Sequence, residues 1–119
     1  MKILLLTKNV LTEKRTQRIL QLLGHEVFVT NNYLETFIER EPDKEAMNYF
    51  NLCIISETVS DPEVDKLFSR INNVPYKFFR ETENADMKDE KTRNPTYDFI
   101  KTNASTVELR EAIASVVYG

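Results

Sequence analysis

The sequence predicts an α/β domain built on a five-stranded parallel sheet, and three observations carry that reading. Two apolar runs of strand length, Lys2–Leu6 and Leu52–Ile55, are continuous rather than alternating, as in strands covered on both faces. Segments of helical periodicity follow the strand-like runs. Five strands alternating with helices through short loops imply a parallel sheet with right-handed crossovers.

Polar Thr7, Lys8 and Asn9 stop residues 2–6, which read as the first strand. Thr12 is placed to cap a helix over 12–23, in which Ile19, Leu20 and Leu23 share a face, and Gly24 stands where a left-handed cap is usual. Residues 25–30 read as the second strand. Tyr33, Leu34, Phe37 and Ile38 recur at helical spacing up to Pro42, so a short second helix is expected to end near Glu41. Leu52–Ile55 is the expected central third strand. Asp61-Pro62 marks a helix start, since aspartate accepts from first-turn amides and proline at the first helical position loses no needed donor. Val64, Leu67, Phe68 and Ile71 then fall at i, i+3, i+4 and i+7. Residues 76–79 and 98–101 read as the fourth and fifth strands. Between them, 82–96 offer only Ala85 and Met87 among charged and amide side chains, so a helix there is weak or absent. Ser105 and Glu108 form a capping box, and Leu109, Ala112, Ile113 and Val116 make the inner stripe of the last helix.

With 119 residues, 41% apolar and 29% charged, residues 1–119 suit one domain with one core. The net charge of -3 gives no broad pull toward nucleic acid. The early run Ile3-Leu4-Leu5-Leu6 is too short for a membrane span or a signal-peptide core, and with the lone Cys53 it points to the cytoplasm and to no membrane partner. One histidine and two glycines leave little room for a histidine metal cluster, a Ser-His-Asp triad or a glycine-rich phosphate loop. The expectation is a protein that is not an enzyme, with no cofactor and no metal.

Several short motifs sit in the same order as in a known family. Gly24-His25-Glu26-Val27 is similar to a "G-Y-x-V" lead into the second strand, and Asn51-Leu52-Cys53-Ile54-Ile55 to a "D-L-V-L-L" run. Pro75 precedes the fourth strand, and Asp98-Phe99-Ile100 is followed eight residues on by Glu108-Leu109, similar to "D-Y-I-T-K-P-F-x-x-x-E-L". Along its whole length the chain resembles a response-regulator receiver domain. The resemblance implies a flavodoxin/CheY-like doubly wound sheet of order 2-1-3-4-5, with functional groups at the carboxyl ends of the strands.

Carried over residue by residue, the resemblance implies a degenerate pocket. Receivers hold magnesium with acidic residues after the first strand, where this chain has Thr7, Lys8 and Asn9. The phosphoacceptor aspartate falls on Ser56, the fourth-strand Ser/Thr on Arg80, and the fifth-strand lysine on Thr102, followed by Asn103. Magnesium takes hard oxygen ligands and an acyl phosphate needs a carboxylate nucleophile, so a pseudo-receiver is expected. A one-residue slip would bring Glu57 or Lys101 to a family position, but it would also turn the apolar face of the strand.

Lys8 and Arg80 have two readings: a permanent positive charge in place of a metal, or solvated residues at loop edges. Ser56 is either a kinase target or a hydroxyl that satisfies nearby backbone. Cys53 inside an apolar strand reads as core, His25 as a solvated loop histidine, and Lys14, Arg15 and Arg18 as the wet face of the first helix or a partner surface.

The resemblance implies a phosphorylation-independent regulatory and dimerising domain of an OmpR/PhoB-class transcription regulator, touching DNA only through a C-terminal domain beyond these residues. Homodimers are expected, with Asp98, Arg110 and Glu111 as candidate interface residues, alongside a regulatory protein partner. A stand-alone adaptor is the alternative. A flavodoxin-like small-molecule binder fits less well, because residues 7–11 lack a glycine-containing phosphate cradle.

Overall fold

A computed structural model describes residues 1–31, 50–70, 77–83 and 97–118. The strands are β1 (Lys2–Leu6), β2 (Glu26–Thr30), β3 (Leu52–Ile55), β4 (Lys77–Thr82) and β5 (Tyr97–Lys101), and the helices α1 (Lys14–Leu22), α2 (Asp61–Arg70) and α3 (Thr106–Tyr118). All strand pairs are parallel, in the order β2-β1-β3-β4-β5. That is the doubly wound order expected from the sequence. The second helix expected to end near Glu41 lies outside the described residues, as does nearly all of 82–96.

The continuous apolar runs are buried on both faces because helices cover both. Leu4, Leu6, Cys53, Ile55 and Phe78 face one way and pack with Val59, Val64 and Leu67 of the α2 side. Ile3, Leu5, Leu52, Ile54, Phe79 and Ile100 face the other way, against Leu20 of α1 and Leu109 and Ile113 of α3. Phe68 is half-buried and meets Phe78 edge-on, with ring centroids 4.9 Å apart. Ile71 lies outside the described residues.

Several boundaries differ from the sequence reading, each for a local reason. The chain enters α1 through a 3-10 turn at Val10–Glu13, capped by Asn9 rather than by Thr12: Asn9 Oδ1 accepts from the Leu11 amide at 3.1 Å. The α2 start is braced by Ser60, whose hydroxyl donates to Glu63 Oε1 at 2.7 Å, while Asp61 lies inside the first turn and its carboxylate pairs with Arg80. β4 runs three residues past the expected 76–79, because Arg80, Glu81 and Thr82 continue the pairing with β5. The capping box at α3 forms as the sequence implies, with Glu108 N donating to Ser105 Oγ and Ser105 N to Glu108 Oε1, each at 3.2 Å. Hydrogen bonds from the backbone and then the side chain of Ser105 hold the exposed Glu108 carboxyl below its ordinary range. Gly24 takes φ +92° directly after α1, the left-handed conformation that ends a helix at least cost in glycine.

Candidate functional site

The site grows out of strand alternation. On the α1–α3 face the apolar rows Ile3-Leu5, Leu52-Ile54 and Phe79 each end two residues further on in a polar side chain: Thr7, Ser56 and Glu81. Continuing the registers Leu6↔Ile55 and Ile55↔Arg80 by one residue sets these three side by side across β1, β3 and β4. All three are buried. They stand at the carboxyl ends of the strands, where ligands bind in open α/β sheets.

Glu13 closes over this row. The 3-10 turn carries it back above the sheet, where it is only 3% exposed. Its Oε1 accepts from Ser56 Oγ at 2.5 Å and from Thr12 Oγ1 at 3.1 Å, and lies 3.2 Å from Thr7 Oγ1. Thr58 completes the hydroxyl cluster, its Oγ1 lying 3.0 Å from Ser56 Oγ and 3.1 Å from Thr7 Oγ1, and its amide donating to Ser56 Oγ. A buried carboxylate is tolerable there because hydroxyl donors converge on it.

Glu81 is less well provided. It is 6% exposed, and its Oε1 finds no hydrogen-bond donor among the described residues. Burial first, then the negative charges of Glu13 and Glu57 and a hydrogen bond with Glu13, push its carboxyl from the ordinary 4.5 up to about 8. A contact between two carboxyls needs a proton on one of them. Near neutral pH, Glu81 is therefore mainly a carboxylic acid beside Glu13.

The sequence-expected residues divide between the two faces. Thr7 and Ser56 lie at the centre of the cluster, and Thr102 is near its edge, donating to Glu57 Oε2 at 3.0 Å. Lys8 is exposed and its ammonium pairs with Glu63, while its amide donates to Thr58 Oγ1 at 3.0 Å. Asn9 caps the turn. Arg80 faces the α2 side, opposite to Ser56, where it pairs with Asp61 and reaches the Val59 carbonyl at 3.5 Å. Arg110 and Glu111 are exposed on α3, whereas the side chain of Asp98 lies outside the described ones.

Sequence reasoning missed Glu13, Thr58 and Glu81. Glu13 lies six residues past Thr7 and reaches the site only through the tight turn, so inspection of the strand ends passes over it. Glu81 was hidden by ending β4 too early. The signal was present in the alternation Phe79-Arg80-Glu81, which sends residues 79 and 81 to one face.

Ser56 is fully buried and its proton is committed to Glu13, so the oxygen at the end of β3 is neither a carboxylate nor open to solvent. Among the described residues no group of three or more His, Cys, Asp or Glu side chains is arranged to hold a metal ion. The Cys53 thiol is buried and desolvation pushes its pKa far up. His25 Nδ1 accepts from the N-terminal ammonium at 3.1 Å, and burial, then that positive charge, lowers the pKa of the imidazole. No helix among the described residues is long and apolar enough to cross a membrane.

No protein-family model matches the chain, and no curated protein matches it by sequence. Solved structures match it by fold. The receiver domain of the sensor histidine kinase PA1611 from Pseudomonas aeruginosa PAO1, crystallised with magnesium in its active-site cleft, superposes with a TM-score of 0.68 at 13% identity, covering 99% of this chain and 98% of that one. A response-regulator receiver domain protein from Clostridium thermocellum gives 0.65 at 14% identity, covering 98% and 94%. A receiver protein from Pseudoalteromonas atlantica gives 0.63 at 14%, covering 100% and 98%. At these identities the likeness is one of architecture, and the described chain has the fold of response-regulator receiver domains.

Proposed function

We propose that this chain is a receiver-like regulatory domain that works without forming an acyl phosphate, signalling through contacts with a second copy or a protein partner as the regulatory half of a transcription regulator. One observation carries the proposal. Where a receiver would present its phosphoacceptor, Ser56 is sealed beneath the Val10–Glu13 turn with its hydroxyl donated to Glu13. A hydroxyl in that state offers no carboxylate nucleophile to a phosphoryl donor. The receiver fold supports the regulatory role, and the exposed Arg110 and Glu111 of α3 supply charges that orient a partner more than they strengthen its binding.

The test is sedimentation of the purified chain at tens of micromolar, with and without beryllofluoride and magnesium, beside an Arg110→Glu variant. Self-association that is indifferent to beryllofluoride and weakened by the substitution is the expected result. A shift to dimer only on adding beryllofluoride would overturn phosphorylation independence, and a strictly monomeric chain would remove the second copy as the partner.

A further inference from the structure

The outward side of α1 and of the Val10–Glu13 turn carries charge and apolar surface that the core does not use. Leu11, Arg15, Arg18 and Leu22 fall at i, i+4, i+7 and i+11, along one side of the helix, while Thr16 and Leu20 on the other side are buried. Leu11 is 69% exposed and Leu22 78%, and with Val10 they make three of the five exposed large apolar side chains among the described residues. Lys14, Arg15 and Arg18 lie exposed between the two leucines. Arg15 donates to the Ala104 carbonyl at 3.1 Å, so Lys14 and Arg18 supply the outward charge. Residues 10–22 hold a single carboxylate, Glu13, and it is buried in the hydroxyl cluster beneath. A basic band with an apolar side chain at each end therefore stands on a chain whose net charge is -3.

We propose that this side docks an acidic, amphipathic helix of a partner protein, and that the buried Ser56–Glu13 hydrogen bond holds Leu11 in line with Leu22 for that contact. The inference gives the chemistry of the protein partner in the reading above and rests on that reading. Carboxylates on the partner meet Lys14 and Arg18, and its apolar side chains cover Leu11 and Leu22, which stand about three turns apart. The charges orient the partner and exclude basic ones, while the leucines supply the buried area. A second α1 is a poor occupant, because it sets cations against cations. A duplex of nucleic acid leaves the leucines uncovered. A bilayer surface favours a continuous apolar face over leucines parted by cations.

The turn is anchored from both sides. Glu13 Oε1 accepts from Ser56 Oγ at 2.5 Å and from Thr12 Oγ1 at 3.1 Å, which ties the end of the turn to the end of β3. Asn9 Oδ1 accepts from the Leu11 amide at its start. The hydroxyl at the phosphoacceptor position thereby sets where the first apolar contact of the docking side stands.

The test uses two synthetic helical peptides with leucines at the spacing of Leu11 and Leu22, one carrying glutamates between them and the other lysines. Binding to the full chain is followed by fluorescence anisotropy, with circular dichroism confirming that each variant is folded. The glutamate peptide should bind and the lysine peptide should not. Arg18→Glu should reverse that preference, and Leu22→Ala should weaken the glutamate peptide about tenfold. Ser56→Ala should weaken it about threefold, but should have no further effect in a Leu11→Ala chain, since it acts through Leu11. Binding of neither peptide, equal binding of both, or a preference that Arg18→Glu leaves unchanged would overturn the docking side. Binding to phosphatidylserine vesicles without binding to the glutamate peptide would assign it to a membrane instead. A Ser56→Ala effect that is absent, or that persists in Leu11→Ala, would overturn the role of the buried bond. Neither beryllofluoride nor self-association enters this assay, so its failure is distinguishable from failure of phosphorylation independence or of dimerisation.

Discussion

Replacing Glu81 with glutamine should abolish most of the pH dependence of folding stability above neutrality. The folded-state pKa of Glu81 is raised to about 8 from an ordinary 4.5, so the folded chain binds this proton more tightly than the unfolded chain does. The stability that follows is fully present below about pH 4.5, declines as pH rises, and is gone once pH passes 8. At about 1.4 kcal/mol per pH unit the whole window is worth about 5 kcal/mol. His25 works in the opposite sense: its folded pKa lies below 6.5, so its contribution is present above 6.5 and is lost as pH falls. Glu108, with a lowered pKa, acts only below 4.5. The clean interval is therefore from about pH 6.5 to about pH 8, in which the wild-type chain should lose about 2 kcal/mol. Urea unfolding followed by far-ultraviolet circular dichroism at half-unit pH steps measures this directly. Glu81→Gln should give a nearly level profile over the same interval. Wild-type stability that is flat or rising between pH 6.5 and 8, or an unchanged slope in the variant, would refute the placement of a buried, protonated Glu81 beside Glu13.

Ser56→Ala removes the hydroxyl that donates to Glu13 Oε1 and should cost about 1–3 kcal/mol in a denaturant titration, the range for leaving a buried charged acceptor short of a donor. Ile113→Ala and Leu67→Ala should each cost about 2–5 kcal/mol, because these side chains join α3 and α2 to opposite faces of the sheet. Cys53 should react with a thiol reagent such as Ellman's reagent only as fast as the chain unfolds, since its thiol is buried and desolvation opposes the thiolate; rapid labelling of the native chain would place β3 nearer the surface.

The parts of the fold that were legible in the sequence are those in which one local signal dominates. Lys2–Leu6 and Leu52–Ile55 are continuous apolar runs with polar stops, and both are strands buried on both faces. Ser105 and Glu108 announced the start of α3 because the capping box is complete within four residues. Signals that depend on tertiary contact were harder to read. Thr12 is a good helix cap by type, yet Asn9 takes that role for the turn while the Thr12 hydroxyl goes to the Asn9 carbonyl and Glu13. Asp61 is likewise a good cap by type, but Ser60 and Glu63 close the start of α2 and Asp61 pairs across to Arg80.

The candidate site was half legible. Thr7, Ser56 and Thr102 follow from family positions at the strand ends and do gather at one end of the sheet. Glu13 could be found only by knowing that residues 10–13 coil tightly enough to bring it back over β1 and β3. Arg80, expected at the pocket, faces the α2 side, and Glu81 stands in the row beside Ser56 instead, because successive residues of a strand point to opposite faces.

The most direct test of the central claim is incubation of the chain with acetyl phosphate and magnesium, followed by intact-mass analysis and peptide mapping. The buried Ser56, hydrogen-bonded to Glu13, predicts no phosphate adduct on the chain at any time point. A hydroxylamine-labile phosphate on an aspartate or glutamate at the carboxyl ends of the strands would contradict it.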